Sequence, residues 1–291
     1  MDFLQQLING LSLGSVYALI AIGYTMVYGI IKLINFAHGD IYMTGAYFGF
    51  LAVTRLKLPF LPALLLTMVC SAMMGVVIEK IAYKPLRKSP RITLLITAIG
   101  MSLLLENGFR LLFGPNPRPF PTVLETKMYH IGGLQINNIQ ILILAVSVIL
   151  VVILEYIVFR TKAGKAMRAA SFDKDAAALM GINVNTIISV TFAIGSALAG
   201  AGGILVGIAY PRIDPYMGIM PGLKAFVAAV LGGIGIIPGA MMGGLIMGLT
   251  ETFTKAFVST RLSDAIAFGI LIVILLVKPD GLLGKKISEK V

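Results

Sequence analysis

The stretch from Ile141 to Phe159, ILILAVSVILVVILEYIVF, runs apolar for 19 residues, and a helix needs about 20 such residues to cross the hydrocarbon core of a bilayer. Eight further stretches read the same way: Leu11–Ile31, Ile41–Val53, Phe60–Ile81, Ile92–Phe113, Ile187–Ile208, Gly218–Leu231, Ala240–Val258 and Ala265–Val277. Together they predict an all-α integral membrane protein, a polytopic bundle of eight or nine transmembrane helices forming one domain over residues 1–291. Ile41–Val53 and Gly218–Leu231 are short and interrupted by glycine, so they are expected to be broken or re-entrant helices shielded by protein rather than lipid. The count turns on those two.

Composition agrees. Hydrophobic residues make up 58% of the chain and charged residues 13%, with a mean hydropathy of +0.94, whereas soluble domains carry roughly 25% charged residues. The formal charge of +11 falls between the apolar spans and forms no basic face beside stacking aromatics, so no nucleic-acid partner is expected. Cys70 is the single cysteine and lies in an apolar run, which excludes a disulfide or thiolate cluster within one chain. His38 and His130 are far apart and no HExxH spacing occurs, so no metal site is expected. Only Asp2 precedes the first span as a charge, and without a basic n-region that span is read as retained rather than cleaved. The 32 glycines concentrate within spans, and the run Gly195–Gly203 suits a helix packed closely on several neighbours.

Lysine and arginine in short loops mark the cytoplasmic side. Three clusters, Lys84/Arg87/Lys88/Arg91, Arg160/Lys162/Lys165/Arg168/Lys174 and Lys278/Lys285/Lys286/Lys290, hold 13 of the 24 basic residues. Placing all three inside puts an extracytoplasmic loop at 114–139, together with Tyr210–Met217 and the Ser259–Asp264 turn. The N-terminus is then outside if Ile41–Val53 crosses, and inside if it only re-enters. Glu106/Arg110 and Glu251/Lys255 share i,i+4 spacing near the outer ends of two spans, where such pairs can neutralise each other.

No G-x-x-x-x-G-K-S/T motif is present, since Gly281-Leu282-Leu283-Gly284-Lys285 has the wrong spacing. No nucleophile, base or paired-carboxylate arrangement is recognisable either, so the chain is not expected to be an enzyme. A nucleotide that powers transport must be bound elsewhere. The polar segment 161–185 offers the contact: Asp173–Met180 reads as a short helix with acidic residues at its N-terminus and Gly181 at its C-terminal stop.

Within that segment Asp175-Ala176-Ala177-Ala178-Leu179-Met180-Gly181 resembles the E-A-A-x-x-x-G loop of bacterial ABC importer permeases, with Asp for the usual Glu. The flanking Thr161–Ala170 and Gly181-Ile182-Asn183, the first span from Gly14 to Gly23, the signature Asn35-Phe36-Ala37-His38-Gly39-Asp40, and Ala229–Gly235 with Pro238-Gly239-Ala240 resemble the permease family for branched-chain amino acids. The resemblance implies a bacterial inner-membrane complex of two related permeases, two cytoplasmic ATPases and an extracytoplasmic solute-binding protein. ATP and Mg would be bound by the ATPases and no cofactor by this chain, which would form the pathway for leucine, isoleucine and valine.

By the same resemblance Asp175, Ala176, Ala177 and Gly181 would be the ATPase-coupling residues. Bulky or charged replacements at Ala177 or Gly181 are expected to disturb that dock. Asn35, His38, Gly39 and Asp40 either line the pathway or hold a helix break, and Gly232, Gly233, Gly235 and Gly239 are expected to form a hairpin between membrane segments. A urea or short-amide permease shares a similar signature, with Phe36 favouring amino acids. A passive channel would have no need of the coupling segment.

Overall fold

Prolines and polar caps set where the helices start. Pro59 precedes α3 (Phe60–Ile78), Pro90 precedes α4 (Arg91–Phe113), and Pro238 sits in the first turn of α10 (Ile237–Phe257), where its missing N–H has no helical partner to lose. Asn137 and Gln140 form a capping box at α5 (Asn138–Arg160). The computed structural model describes residues 2–87 and 89–284. Lys88, Lys285, Lys286 and Lys290 of the basic clusters lie outside the described residues.

The remaining helices are α1 (Asp2–Ile31), α2 (His38–Thr54), α6 (Lys162–Phe172), α7 (Lys174–Leu179), α8 (Val184–Ala209), α9 (Ile219–Gly232) and α11 (Ser263–Val277). A π-helical turn, Glu79–Tyr83, extends α3. Two small antiparallel ladders accompany the helices: β1 (Arg118–Pro119) with β4 (Arg212–Ile213), and β2 (Met128–Ile131) with β3 (Leu134–Asn137). The second is a hairpin turned by Gly132 and Gly133, both at positive φ, so loop 114–139 carries its own strand structure.

Among the described residues six helices are long and apolar enough to cross a membrane: α1, α3 with its π turn, α4, α5, α8, and α11 together with the 3-10 turn Thr260–Leu262 that precedes it. Helices α2 and α9 have 17 and 14 residues, and α10 is long enough but more polar. All three nevertheless run between the two ends of the bundle. At one end Gln5 exchanges hydrogen bonds with the backbone of Gln135, at 2.8 and 2.9 Å, and the Phe120 N–H donates to Pro211 O. Phe50 near the end of α2 meets Phe120 there. At the other end Gly29 approaches Gly235, and the Leu282 and Leu283 N–H groups donate to Leu231 and Gly232. Among the described residues the chain therefore passes between the ends nine times, and the start of α1 shares its end with loop 114–139. α1 starts at Asp2 rather than near Leu11 because its polar first turns, with Gln5 and Asn9, bond to Gln135 and Gln140.

Packing explains the glycines. α1 and α8 are almost wholly enclosed, while α4, α5 and α11 turn long apolar faces outward. The Gly195–Gly203 run is the contact face of α8: a Cβ on Gly200 would lie 2.2 Å from Ser71 Oγ, and one on Gly203 would lie 2.2 Å from the Tyr42 carbonyl of α2. Since that carbonyl is backbone, the helices would have to separate. Gly203→Val is expected to lower the detergent melting temperature markedly, because overpacking costs about 1–3 kcal/mol even where side chains can move. An unchanged melting curve would contradict the contact.

The two i,i+4 pairs diverge. Lys255 pairs with Glu251, and Glu251 also holds Lys224 of α9 at 2.9 Å and accepts from Tyr17 Oη at 2.7 Å; Lys224 reaches Asp264 at 2.7 Å. This charge cluster ties α1, α9, α10 and α11 together. Glu106 and Arg110 form no ion pair among the described residues, since Arg110 reaches Tyr216 Oη at 3.4 Å instead.

Candidate translocation and coupling sites

α1 ends at the bundle's end, with Lys32 exposed, but α2 begins inside the bundle, not at its surface. Lys32 takes a positive φ of 60°, Asn35 O accepts from the His38 N–H at 3.0 Å, and Ala37 O accepts from Asp40 and Ile41, both at 3.1 Å. The break is locked by side chains. Asn35 Oδ1 accepts from Tyr83 Oη of the π turn at 2.7 Å. The buried His38 ring stands edge-on to Tyr24, centroids 4.7 Å apart, and occupies space that Gly23 leaves open, since a Cβ there would lie 2.2 Å from Nε2.

Gly39 and Asp40 face the other way. A Cβ on Gly39 would come within 2.6 Å of Gly218 O and 3.0 Å of Gly222 Cα, so α2 and the start of α9 meet backbone to backbone. Both helices start without a side-chain cap. Beside this junction lies a cavity of about 520 Å³ walled by α2, α4 and α9, into which Asp40, Ser102 and Glu106 project. Asp40 is only 2% exposed and accepts a hydrogen bond from Ser102 Oγ. Of the signature residues, Phe36, Gly39 and Asp40 line the cavity while Asn35 and His38 hold the break behind it.

Three caps build the α6–α7 segment. Thr161 Oγ1 accepts from Gly164 N at 3.1 Å, Asp173 Oδ1 accepts from Asp175 N and Ala176 N, both at 2.9 Å, and Asn183 Oδ1 accepts from Thr186 N at 3.2 Å. Gly181 ends α7 at φ 82°, with its N–H on Ala178 O and the Ile182 N–H on Ala177 O. That is the Schellman arrangement, in which a left-handed residue follows the helix.

The structure separates the coupling residues. Asp175 and Ala176 are exposed and Gly181 forms the turn, whereas Ala177 is buried against its own chain because the turn folds α7 back onto α8. The outward surface is apolar: Phe172 is 94% exposed, Leu179 89% and Met180 83%. Lys174, part-buried here, has its ammonium pKa lowered, first by desolvation and then by Arg87 and Lys32.

Arg87 connects this segment to the break. It donates to Asn185 Oδ1 and pairs with Glu79, a fully buried carboxylate that also accepts from Ser189 Oγ at 2.6 Å. Glu79 opens the π turn whose Tyr83 holds Asn35. The sequence reading did not single out Glu79, Tyr83, Ser102, Lys224 or Tyr17. An ionisable residue inside an apolar run, as Glu79 and Lys224 are, is the signal that finds such partners.

The four hairpin glycines lie where α9 turns into α10. Gly233 and Gly235 have φ values of 109° and 96°, and a Cβ on Gly232 would lie 1.8 Å from Gly239 O. The turn sits at the same end as α6–α7 and is covered by Leu282 and Leu283.

Residues 6–275 match the family model described as branched-chain amino acid transport system / permease component. The chain is 45% identical to the high-affinity branched-chain amino acid transport system permease protein BraD of Pseudomonas aeruginosa, covering 99% of this chain and 98% of that one. It is 44% identical to the LivH permease protein of Escherichia coli K12, with the same coverage. Among solved structures it resembles PsaBC from Streptococcus pneumoniae in complex with Fab, with a TM-score of 0.50 at 14% identity over 96% of this chain and 93% of that chain. At that identity the likeness concerns the fold.

Proposed function

The chain belongs to the branched-chain amino acid transport permease family, and from that premise we propose that it forms the translocation pathway of an ATP-driven importer for leucine, isoleucine and valine. It is a multi-pass membrane transport subunit of an ABC transport system. In this reading the end carrying α6, α7 and the described basic residues Lys84, Arg87, Lys165, Arg168 and Lys278 faces the cytoplasm of a bacterial inner membrane. Loop 114–139, Tyr210–Met217 and the N-terminus face outside, where a solute-binding protein docks.

One observation carries the coupling part of the proposal: Phe172, Leu179 and Met180 stand almost fully exposed on the polar segment that joins α5 to α8. Large apolar side chains clustered there mark a contact surface. Two ATPase subunits, one at this segment and one at a second, related permease, supply that contact and bind ATP and Mg. Closure of the ATPases then moves α7, and the Arg87–Glu79 and Tyr83–Asn35 contacts pass the motion to the break at the start of α2.

Competition for uptake tests the substrate assignment. In cells expressing the complete system, unlabelled isoleucine and valine are expected to suppress labelled leucine uptake, and urea is expected to leave it unchanged. Suppression by urea alone would move the chain to the short-amide importers.

A further inference from the structure

We propose that the cavity beside Asp40 is an intramembrane amino-acid site, in which Asp40 and Glu106 hold the substrate ammonium and the aliphatic side of α4 receives the branched side chain. The inference deepens the permease reading above and rests on it.

The cavity volume, about 520 Å³, falls within the roughly 300–1,000 Å³ of small-molecule sites. Among the described residues the charged groups that line it are two carboxylates, Asp40 at 2% exposure and Glu106 at 7%. A buried carboxylate inside a membrane needs a donor or a cation. Ser102 lies one turn before Glu106 on the same helix, but its hydroxyl carries a single proton, and it donates that proton to Asp40. Glu106 has no ion pair among the described residues, because Arg110 turns away to Tyr216, and the hydroxyl of Ser102, the donor within its reach, is shared with Asp40. Glu251 shows the contrast: two lysines and a tyrosine satisfy it.

An ammonium supplies three donors and a positive charge, which is what this pair of carboxylates lacks. A zwitterion also brings a carboxylate, and the cavity offers a partner at its other side. Gly218 and Ile219 begin α9 there with no capping side chain; the Ile219 N–H already donates to Tyr216 O and Pro221 has none, so what favours an anion at this side is the positive end of the helix dipole. Leu95, Ile99 and Leu103 provide the apolar wall.

The test uses the complete complex, with its second permease, ATPases and binding protein, reconstituted in vesicles. Glu106→Gln keeps the volume and removes the charge. Leucine uptake is expected to fall about tenfold or more, the scale of a lost charge-assisted hydrogen bond, while all subunits still co-purify and binding-protein-stimulated ATP hydrolysis persists. Glu106→Asp should restore part of the uptake. Unchanged uptake in Glu106→Gln would overturn the assignment. So would loss of the second permease from the complex, which would mean that Glu106 pairs with a basic residue of that subunit.

If the variant fails to accumulate, the wild type decides. 3-Methylbutylammonium, leucine without its carboxylate, should inhibit leucine uptake at lower concentration than 4-methylpentanoate, leucine without its ammonium, under conditions that leave leucine on the binding protein. Equal or reversed potency would overturn the site. A wild-type complex that moves no leucine would instead overturn the permease reading beneath it.

Discussion

Replacing Leu179 and Met180 together by aspartate is expected to abolish ATP-driven uptake while leaving the permease inserted at normal abundance. Both side chains are almost fully exposed at the tip of α7, so neither contributes to packing within the chain. Burying each in a partner's groove contributes about 1.5–3 kcal/mol, and each aspartate would add the cost of taking a charge out of water. The two changes together exceed what separates a stable subunit contact from a negligible one. Co-purification of the ATPases and uptake should be lost together. Retention of both would exclude α7 as the dock. Gly181→Asp tests something different: nothing lies within 4 Å of a Cβ at that position, but φ 82° is a conformation that residues with a Cβ rarely adopt, so it should loosen the turn that presents Leu179 and Met180.

Glu251→Gln is expected to be the most destabilising single change within the membrane. Glu251 is nearly inaccessible and sits between Lys224, also buried, and Lys255, which is partly exposed. Removing one partner of a buried pair costs about 3–5 kcal/mol. The lower end applies, since Lys224 keeps Asp264 at 2.7 Å and Lys255 can extend its ammonium towards water. The double variant Glu251→Leu with Lys224→Met removes both buried charges and should recover most of the melting temperature. If it is no more stable than Glu251→Gln, the cluster is not held by its buried ion pair.

Much of the architecture is legible from periodicity and length alone. Each of the nine apolar stretches became a helix, including the short Ile41–Val53 and Gly218–Leu231, because an apolar stretch in a membrane must satisfy its backbone internally. What sequence does not convey is depth. Ile41–Val53 is short because α2 starts within the bundle at His38, and Gly218–Leu231 because α9 starts beside it; only the contact between Gly39 and Gly218 reveals that the two breaks adjoin.

Facing was also hidden. The alanine-rich motif suggests a ball of small residues presented to a partner, yet Ala177 turns inward and Leu179 and Met180, outside the motif's fixed positions, point out. A six-residue helix has no second turn from which its outward side can be read. Signature residues split likewise: His38 and Asn35 look alike in sequence to Asp40, but a single turn of helix sends Asp40 to the cavity and His38 against Gly23. Glu106 was visible only as half of an i,i+4 pair, and the pair does not form.

The central claim is that this chain provides the path for uptake driven by ATP on partner subunits. Labelled leucine should be followed into vesicles holding the complete complex, with the binding protein outside and ATP or a non-hydrolysable analogue within. The expected result is accumulation well above the external concentration with ATP and none with the analogue. Equilibration of leucine without ATP, stopping at the external concentration, would show a passive channel and contradict the account.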